Sequence, residues 1–206
     1  FVGITKSMDS VKSVRSVHNV NGGHNVHNVS SVHNVHSVHN VHNVNNVNAA
    51  GEAGAVAIYR GILAVSRCPQ VREFAQRHMQ TEQRHLATVE RLVPHHSRSR
   101  LLAVWRAAGF VTGALPSLVG RNAVYSTIEA VETFVDIHYA EQITRLDGDK
   151  NWSELQATLK ACWTDELEHR DEAKERRTSS GGLLMRAWLK SISIGSQVGV
   201  AIARRI

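Results

Sequence analysis

Two Glu-x-x-His pairs, each preceded by a lone glutamate at a similar distance, constrain this chain more than any other feature. They run Glu52, then Glu82-Gln83-Arg84-His85, then Glu132, then Glu166-Leu167-Glu168-His169. The lone glutamate leads its pair by 30 residues in the first half and by 34 in the second. Residues three apart on a helix point to one side, about 60° apart in rotation, so each pair can chelate one cation from a single face. One Glu from each of two helices and a Glu-x-x-His from each of two others is what a four-helix bundle uses to hold two metals in its core. Four bare carboxylates are prohibitively costly to bury; two divalent cations neutralise them. Oxygen-rich ligation with one imidazole per metal suits iron or manganese better than zinc or copper. A single Glu-x-x-His on a solvated helix carries little information, and the repetition with its upstream glutamates carries the reading.

The rest of the composition narrows the class. At 206 residues the chain is long enough for one domain with a substantial core. Two cysteines, Cys68 and Cys162, and no CxxC argue against a disulfide framework or a zinc–cysteine site. A net charge of +6 with scattered basic residues and 5% aromatics gives no nucleic-acid surface. No long uncharged apolar run is present; the closest approach, residues 107–120, is short for a bilayer span but suits a buried or interfacial helix. The chain opens on Phe1, which fits a fragment, a processed form or a faulty gene boundary.

Residues 1–48 stand apart. Valine recurs every third position from Val26 to Val47, usually followed by His-Asn. A period of three matches neither helix nor strand, and the expectation is disordered low-complexity sequence. The alternative is weak, unselective metal capture by its seven histidines, among them His33, His36, His39 and His42. Residues 49–206 read as helices: Ala53–Arg67, ended by Cys68-Pro69; Val71–Leu92, closed by Pro94; Leu101–Ala114, interrupted by Pro116; Asn122–Leu146; Ser153 to about Arg177; and Leu183–Ile206 after a Ser-Gly break.

Around the six candidate ligands stand candidate supporting residues. Asp165, beside Glu166, is placed to accept a hydrogen bond from the outer nitrogen of a ligating imidazole. Tyr59 and Tyr139 each follow a lone glutamate by seven residues, on its helical stripe; each either hydrogen-bonds near the metals or packs as a core aromatic. His138 lies about 120° from Glu132 around the helix and is expected to support rather than ligate. Glu129 and Glu168 fall off the face and are expected in solvent, as are His78, His95 and His96.

Several segments resemble the demethoxyubiquinone hydroxylases of ubiquinone biosynthesis. They are Ala50-Gly51-Glu52-Ala53-Gly54-Ala55 with Ile58-Tyr59; Glu82-Gln83-Arg84-His85-Leu86; Trp105 with Ala108-Gly109-Phe110; Ala130-Val131-Glu132 with His138-Tyr139-Ala140-Glu141-Gln142-Ile143; and Asp165 to Asp171. The resemblance spans roughly residues 47–206 and departs from the family pattern at Ala49, Ala53 and Ala103, none of them a ligand.

The resemblance implies an all-α, ferritin-like four-helix bundle with a dimetal carboxylate core plus extra amphipathic helices. It implies Glu52, Glu82, His85, Glu132, Glu166 and His169 as ligands of two Fe ions, with His138 and Tyr139 in a family segment near the site. The reaction it implies is O2-dependent hydroxylation of a polyprenylated demethoxy-benzoquinol through a peroxo di-iron species, with electrons ultimately from NADH. A bilayer-dwelling substrate implies a peripheral enzyme of the bacterial plasma membrane or of the matrix face of the mitochondrial inner membrane. The apolar segment 101–119 and the basic helix 183–206 are the candidate contacts. A lipid-binding member of the ubiquinone-biosynthesis complex and a second copy of the chain are further implied partners; nucleic acid is not. The alternative is a ferritin-like iron-binding, ferroxidase or peroxidase protein without a quinone substrate.

Overall fold

The computed structural model describes residues 47–92, 102–179 and 181–203. The Val-His-Asn repeat up to residue 46, His95, His96 and the last three residues lie outside them. Within them the chain forms α1 (residues 47–65), α2 (Pro69–Leu92), α3 (Leu102–Val119), α4 (Arg121–Arg145), a 3-10 turn (Lys150–Trp152), α5 (Ser153–Arg176) and α6 (Leu183–Ala203), and no strand among the described residues.

Two apolar clusters fix how the helices run. One gathers Ile58, Tyr59 and Ile62 of α1, Val71, Phe74 and Ala75 of α2, Val124, Tyr125 and Ile128 of α4, and Ala173 of α5. The other gathers Leu92, Tyr139, Ile143, Leu146, Leu155, Leu159 and Cys162. Along α2 and α4 the first cluster precedes the candidate ligand; along α1 and α5 it follows. So α1 and α5 run one way, α2 and α4 the other, and the buried Glu/His band lies between two apolar layers. Because α2 and α4 are parallel, the connection between them must return along the bundle. Helix α3 makes that crossover.

Helix α3 docks on α1 through glycine. A Cβ at Gly113 would lie 1.9 Å from the Ile58 carbonyl oxygen, one at Gly109 2.3 Å from that of Gly54, and one at Gly61 2.1 Å from that of Phe110. Only backbone without side chains permits so close an approach. The rest of α3 is largely uncovered: Val104, Phe110, Val111, Leu115, Leu118 and Val119 are exposed. At 18 residues it is long and apolar enough to cross a membrane by length and composition. Gly120, with φ of 133°, turns the chain into α4 within a single residue. Helix α6 packs beside α4, where Trp188 Nε1 donates to Thr127 Oγ1 at 2.9 Å; it leaves Leu183, Leu184, Ile194, Val198 and Ile202 exposed.

Three expectations are corrected. Helix α1 already includes Val47 and Asn48, both buried, so the helical domain takes in residues before 49. It ends at residue 65 rather than 67, and Pro69 opens α2 instead of merely closing α1, because the first helical turn needs no proline N–H. Pro116 does not interrupt α3, which continues to Val119. A mid-helix proline costs about 3 kcal/mol; here the glycine seam holds the helix in place regardless of that local penalty, and Ser117 Oγ donates to the Gly113 carbonyl at 2.8 Å. Both cysteines are free thiols.

Candidate metal centre

Each of the four bundle helices carries one part of the motif to the same depth. Glu52 comes from α1, Glu82 and His85 from α2, Glu132 from α4, and Glu166 and His169 from α5; all six are buried. They form two overlapping groups able to hold a cation: Glu52, Glu82, His85 and Glu166, and Glu82, Glu132, Glu166 and His169. Glu82 and Glu166 belong to both.

The sharing is visible atom by atom. Glu166 presents Oε1 to His85 Nδ1 at 3.1 Å and Oε2 to His169 Nδ1 at 3.2 Å. Glu82 presents Oε1 to His169 Nδ1 at 3.0 Å and Oε2 to His85 Nδ1 at 3.9 Å. Each of these two carboxylates thus spans the two imidazoles, while Glu52 and Glu132 flank one group each. Both oxygens of Glu82, Glu52 Oε2 and His169 Nδ1 are buried without a hydrogen-bond partner. Unpaired buried acceptors are rare in folded proteins, and a core gathering several at one point is suited to cations. The donor set of oxygens with one imidazole per group suits iron or manganese.

Electrostatics describe the metal-free cluster. Burial, then the charge of Glu166, pushes Glu82 and Glu132 well above the ordinary carboxylate range and Glu52 up to about 7. Burial would raise Glu166 too, but the two imidazoles against its oxygens, His169 Nδ1 at 3.2 Å and His85 Nδ1 at 3.1 Å, outweigh it and hold its carboxyl at about 2. Burial disfavours charge on His85, yet its bond to Glu166 and the neighbouring carboxylates raise it to about 9. Without metal the cluster therefore stores protons, which cation binding must expel.

The supporting residues differ in position. Asp165 Oδ2 lies 2.9 Å from His85 Nε2, the nitrogen turned away from the carboxylates. Tyr139 donates to Glu52 Oε1 at 2.6 Å. Tyr59 is buried beside His169, Phe74 and His78, with its hydroxyl unpartnered. His138 Nε2 is 2.7 Å from Gln142 Nε2, and its ring stacks on Phe134. Glu129 is half-buried and pairs with Arg177 at 2.7 Å instead of standing in solvent, whereas Glu168 is exposed.

His78 is the clearest correction. Expected at the surface, it is 4% exposed, packs edge-on to His169 with ring centroids 4.1 Å apart, and meets Glu172 Oε2 at 2.7 Å. His78 precedes His85 by seven residues, the same stripe of α2, so helical periodicity alone points it inward. Gln142, ten residues after Glu132 and also unanticipated, donates to Asn48 Oδ1 at 2.8 Å.

A cavity of about 370 Å³ opens onto this band. Glu52, Glu82, Glu132 and Glu166 line it together with α1 residues such as Val47 and Ile58, Trp105 and Gly109 of α3, Val135 and His138 of α4, and Trp188, Ile192, Gly199 and Val200 of α6. Its walls are mostly apolar, and its volume is that of a small-molecule site.

A family model described as ubiquinone biosynthesis protein COQ7 matches residues 39–203, reaching slightly further toward the N-terminus than the resemblance read from the motifs. The chain is 41% identical over 121 residues to 3-demethoxyubiquinol 3-hydroxylase of Rhodospirillum rubrum, covering 57% of this chain and 56% of that one. It is 30% identical over 161 residues to the NADPH-dependent 3-demethoxyubiquinone 3-hydroxylase, mitochondrial, of Dictyostelium discoideum, covering 74% and 71%. Over 88 residues it is 36% identical to the 5-demethoxyubiquinone hydroxylase, mitochondrial, of Saccharomyces cerevisiae, covering 36% and 38%. The match thus spans little more than half the length of the bacterial relative.

Proposed function

We propose, because the chain belongs to the family of ubiquinone biosynthesis protein COQ7, that it hydroxylates the ring of a polyprenylated demethoxy-benzoquinol at a pair of iron ions. The observation that carries this reading is the joining of a shared-carboxylate Glu/His cluster to an apolar cavity wide enough for a substituted ring. An iron-storage or peroxide-consuming protein has no use for such a cavity.

Glu52, Glu82, His85 and Glu166 would hold one iron and Glu82, Glu132, Glu166 and His169 the other. Bound there, the iron pair would supply dioxygen activation and oxygen-atom transfer to an electron-rich ring. The protein's own part is positional. Asp165 orients the His85 ring through Nε2, and the Tyr139 hydroxyl holds Glu52 Oε1, so neither ligand is free to turn. The apolar walls from α1, α3, α4 and α6 exclude water from the ring and leave room for a prenyl tail.

The electrons come ultimately from a nicotinamide cofactor. NADH is what the family resemblance implies, and the name of the Dictyostelium relative specifies NADPH. The enzyme works on the membrane that holds the quinone pool, the bacterial plasma membrane or the matrix face of the mitochondrial inner membrane; the relatives named mitochondrial support a mitochondrial setting. The exposed apolar residues of α3 and α6 are the membrane contact, supported by Arg186 and Lys190 on α6. A lipid-binding partner of the ubiquinone-biosynthesis complex and self-association belong to the same proposal and rest on the family alone. The Val-His-Asn repeat is taken, from its sequence alone, as a separate low-complexity segment without a part in the chemistry.

The test is the quinone profile, by mass spectrometry, of an aerobic bacterial strain lacking its own hydroxylase and expressing the full chain. Ubiquinone should replace the demethoxy intermediate, and Glu166→Ala should abolish both that conversion and two-iron binding. Unchanged intermediate in the presence of folded, iron-loaded protein would overturn the assignment in favour of an iron or peroxide function.

A further inference from the structure

The two imidazoles of the Glu/His band are backed in different ways. His85 turns Nδ1 toward the carboxylates and donates from its outer nitrogen, Nε2, to Asp165 Oδ2 at 2.9 Å. A hydrogen bond of that kind fixes a ligating ring directly. His169 also turns Nδ1 inward, 3.0 Å from Glu82 Oε1 and 3.2 Å from Glu166 Oε2. Among the described residues no carboxylate pairs with its Nε2. Rings stand against it instead: His78, edge-on with centroids 4.1 Å apart, and Tyr59 further off at 6.5 Å.

His78 is itself anchored. It is buried and belongs to neither cation-holding group. Its ring lies among Phe74 at 4.3 Å, Tyr59 at 6.1 Å and His169. Its Nε2 lies 2.7 Å from Glu172 Oε2; a carboxylate accepts, so the hydrogen sits on Nε2. Glu172 is held in turn by Arg77, which donates to its two oxygens at 2.8 and 2.7 Å, and by Arg176 Nε at 2.7 Å. Glu172 follows His169 by three residues, on the same side of α5, so the tether closes beside the ring it backs. A ring tied at Nε2 and boxed by aromatic neighbours is a fixed wall, and His169 rests on it.

Resting on the dimetal reading of this band, we propose that His78 is a positioning residue for His169. It serves only the group formed by Glu82, Glu132, Glu166 and His169. Asp165 does the corresponding work for the group that contains His85. One imidazole is thus steered by a hydrogen bond and the other by a tethered aromatic wall. An imidazole that loses its backing samples orientations in which Nδ1 misses the cation, so the loss falls on metal affinity. Removing a residue that orients a ligand typically costs about 10- to 100-fold in affinity. The wall makes no direct hydrogen bond to His169, so the lower end of that range is expected.

The test is a double-mutant cycle read by Mn(II) titration of the metal-free full chain. His85→Ala leaves the His169 group with its donors complete, and His169→Ala does the same for the His85 group. Adding His78→Phe, which keeps an aromatic ring but cannot bond Glu172, should weaken Mn(II) binding about tenfold in the first background. In the second it should change binding by no more than about twofold, as for independent positions. The Mn(II) EPR spectrum should change in the first background alone. Glu172→Gln keeps the His78 ring but weakens its anchor; it should follow the same pattern with a smaller loss, and serves if His78→Phe fails to fold. Equal losses in both backgrounds, or no loss in the first, overturn the role while leaving the dimetal reading intact. Failure of the unmutated chain to bind two Mn(II) ions overturns both together.

Discussion

At the scale of single residues, the cluster's surroundings are as informative as its ligands. Glu172 accepts from Arg77 at 2.7 and 2.8 Å, from Arg176 at 2.7 Å, and meets His78 at 2.7 Å, tying α2 to α5 beside His169. The Arg77 hydrogen bond chiefly holds its carboxyl at about 2 rather than the ordinary 4.5. A depressed carboxylate stabilises the fold above 4.5 and loses that contribution as pH falls toward 2. Glu172→Gln should therefore cost about 1 kcal/mol at pH 7, after discounting for partial exposure, with the difference shrinking steadily below pH 4.5. Denaturant melts across that range measure it, and an equal difference at pH 7 and pH 3 would refute it. That the six Glu and His side chains meet in the core was legible in sequence because two Glu-x-x-His pairs and two lone glutamates repeat at helical spacing. The partners of Glu172 were not, because nothing about an isolated glutamate states which neighbour it will meet across the bundle, whereas the burial of His78 follows from its seven-residue spacing to His85.

At the scale of elements, helix existence was plain and helix context was not. Proline in a helical pattern reads as a terminator, yet Pro69 starts α2 and Pro116 sits inside α3. Local chemistry alone cannot say that α3 will be pinned by tertiary contact. The pinning is testable. Gly113→Ala places a methyl 1.9 Å from the Ile58 carbonyl oxygen, and backbone cannot give way as a side chain can. A loss of at least about 2 kcal/mol is expected, read as a lower thermal midpoint together with weakened quinone binding. An unchanged midpoint would mean that α3 is not seated through this seam. Helix α6 allows a separate test. Ending the chain at Gly182 should remove flotation with anionic liposomes, since α6 supplies both exposed apolar residues and Arg186 and Lys190. Equal flotation of both forms would assign membrane contact to α3 alone.

At the scale of the whole molecule, the centre sets the terms of stability. The Glu52 carboxyl, pushed from 4.5 to about 7 by burial first and the charge of Glu166 second, favours the folded chain only while protonated. The metal-free protein should thus lose stability as pH rises from 4.5 through 7. Cations take the place of those protons, so the melting midpoints of chelator-treated and Mn(II)-loaded protein should diverge as pH rises from 5 to 8. A gap independent of pH would count against these side chains as ligands. The seam between α3 and α1 has a consequence for how such a molecule can diversify. Where two backbones touch, there is no side chain to enlarge, trim or recharge, so that wall of the cavity is closed to stepwise change by substitution. Helix α6 meets the cavity with side chains instead, Trp188, Ile192 and Val200 among them. Descendants adapting to a longer tail or a differently decorated ring can write the change on α6 and on α4 side chains such as Val135 and His138, but not along the seam.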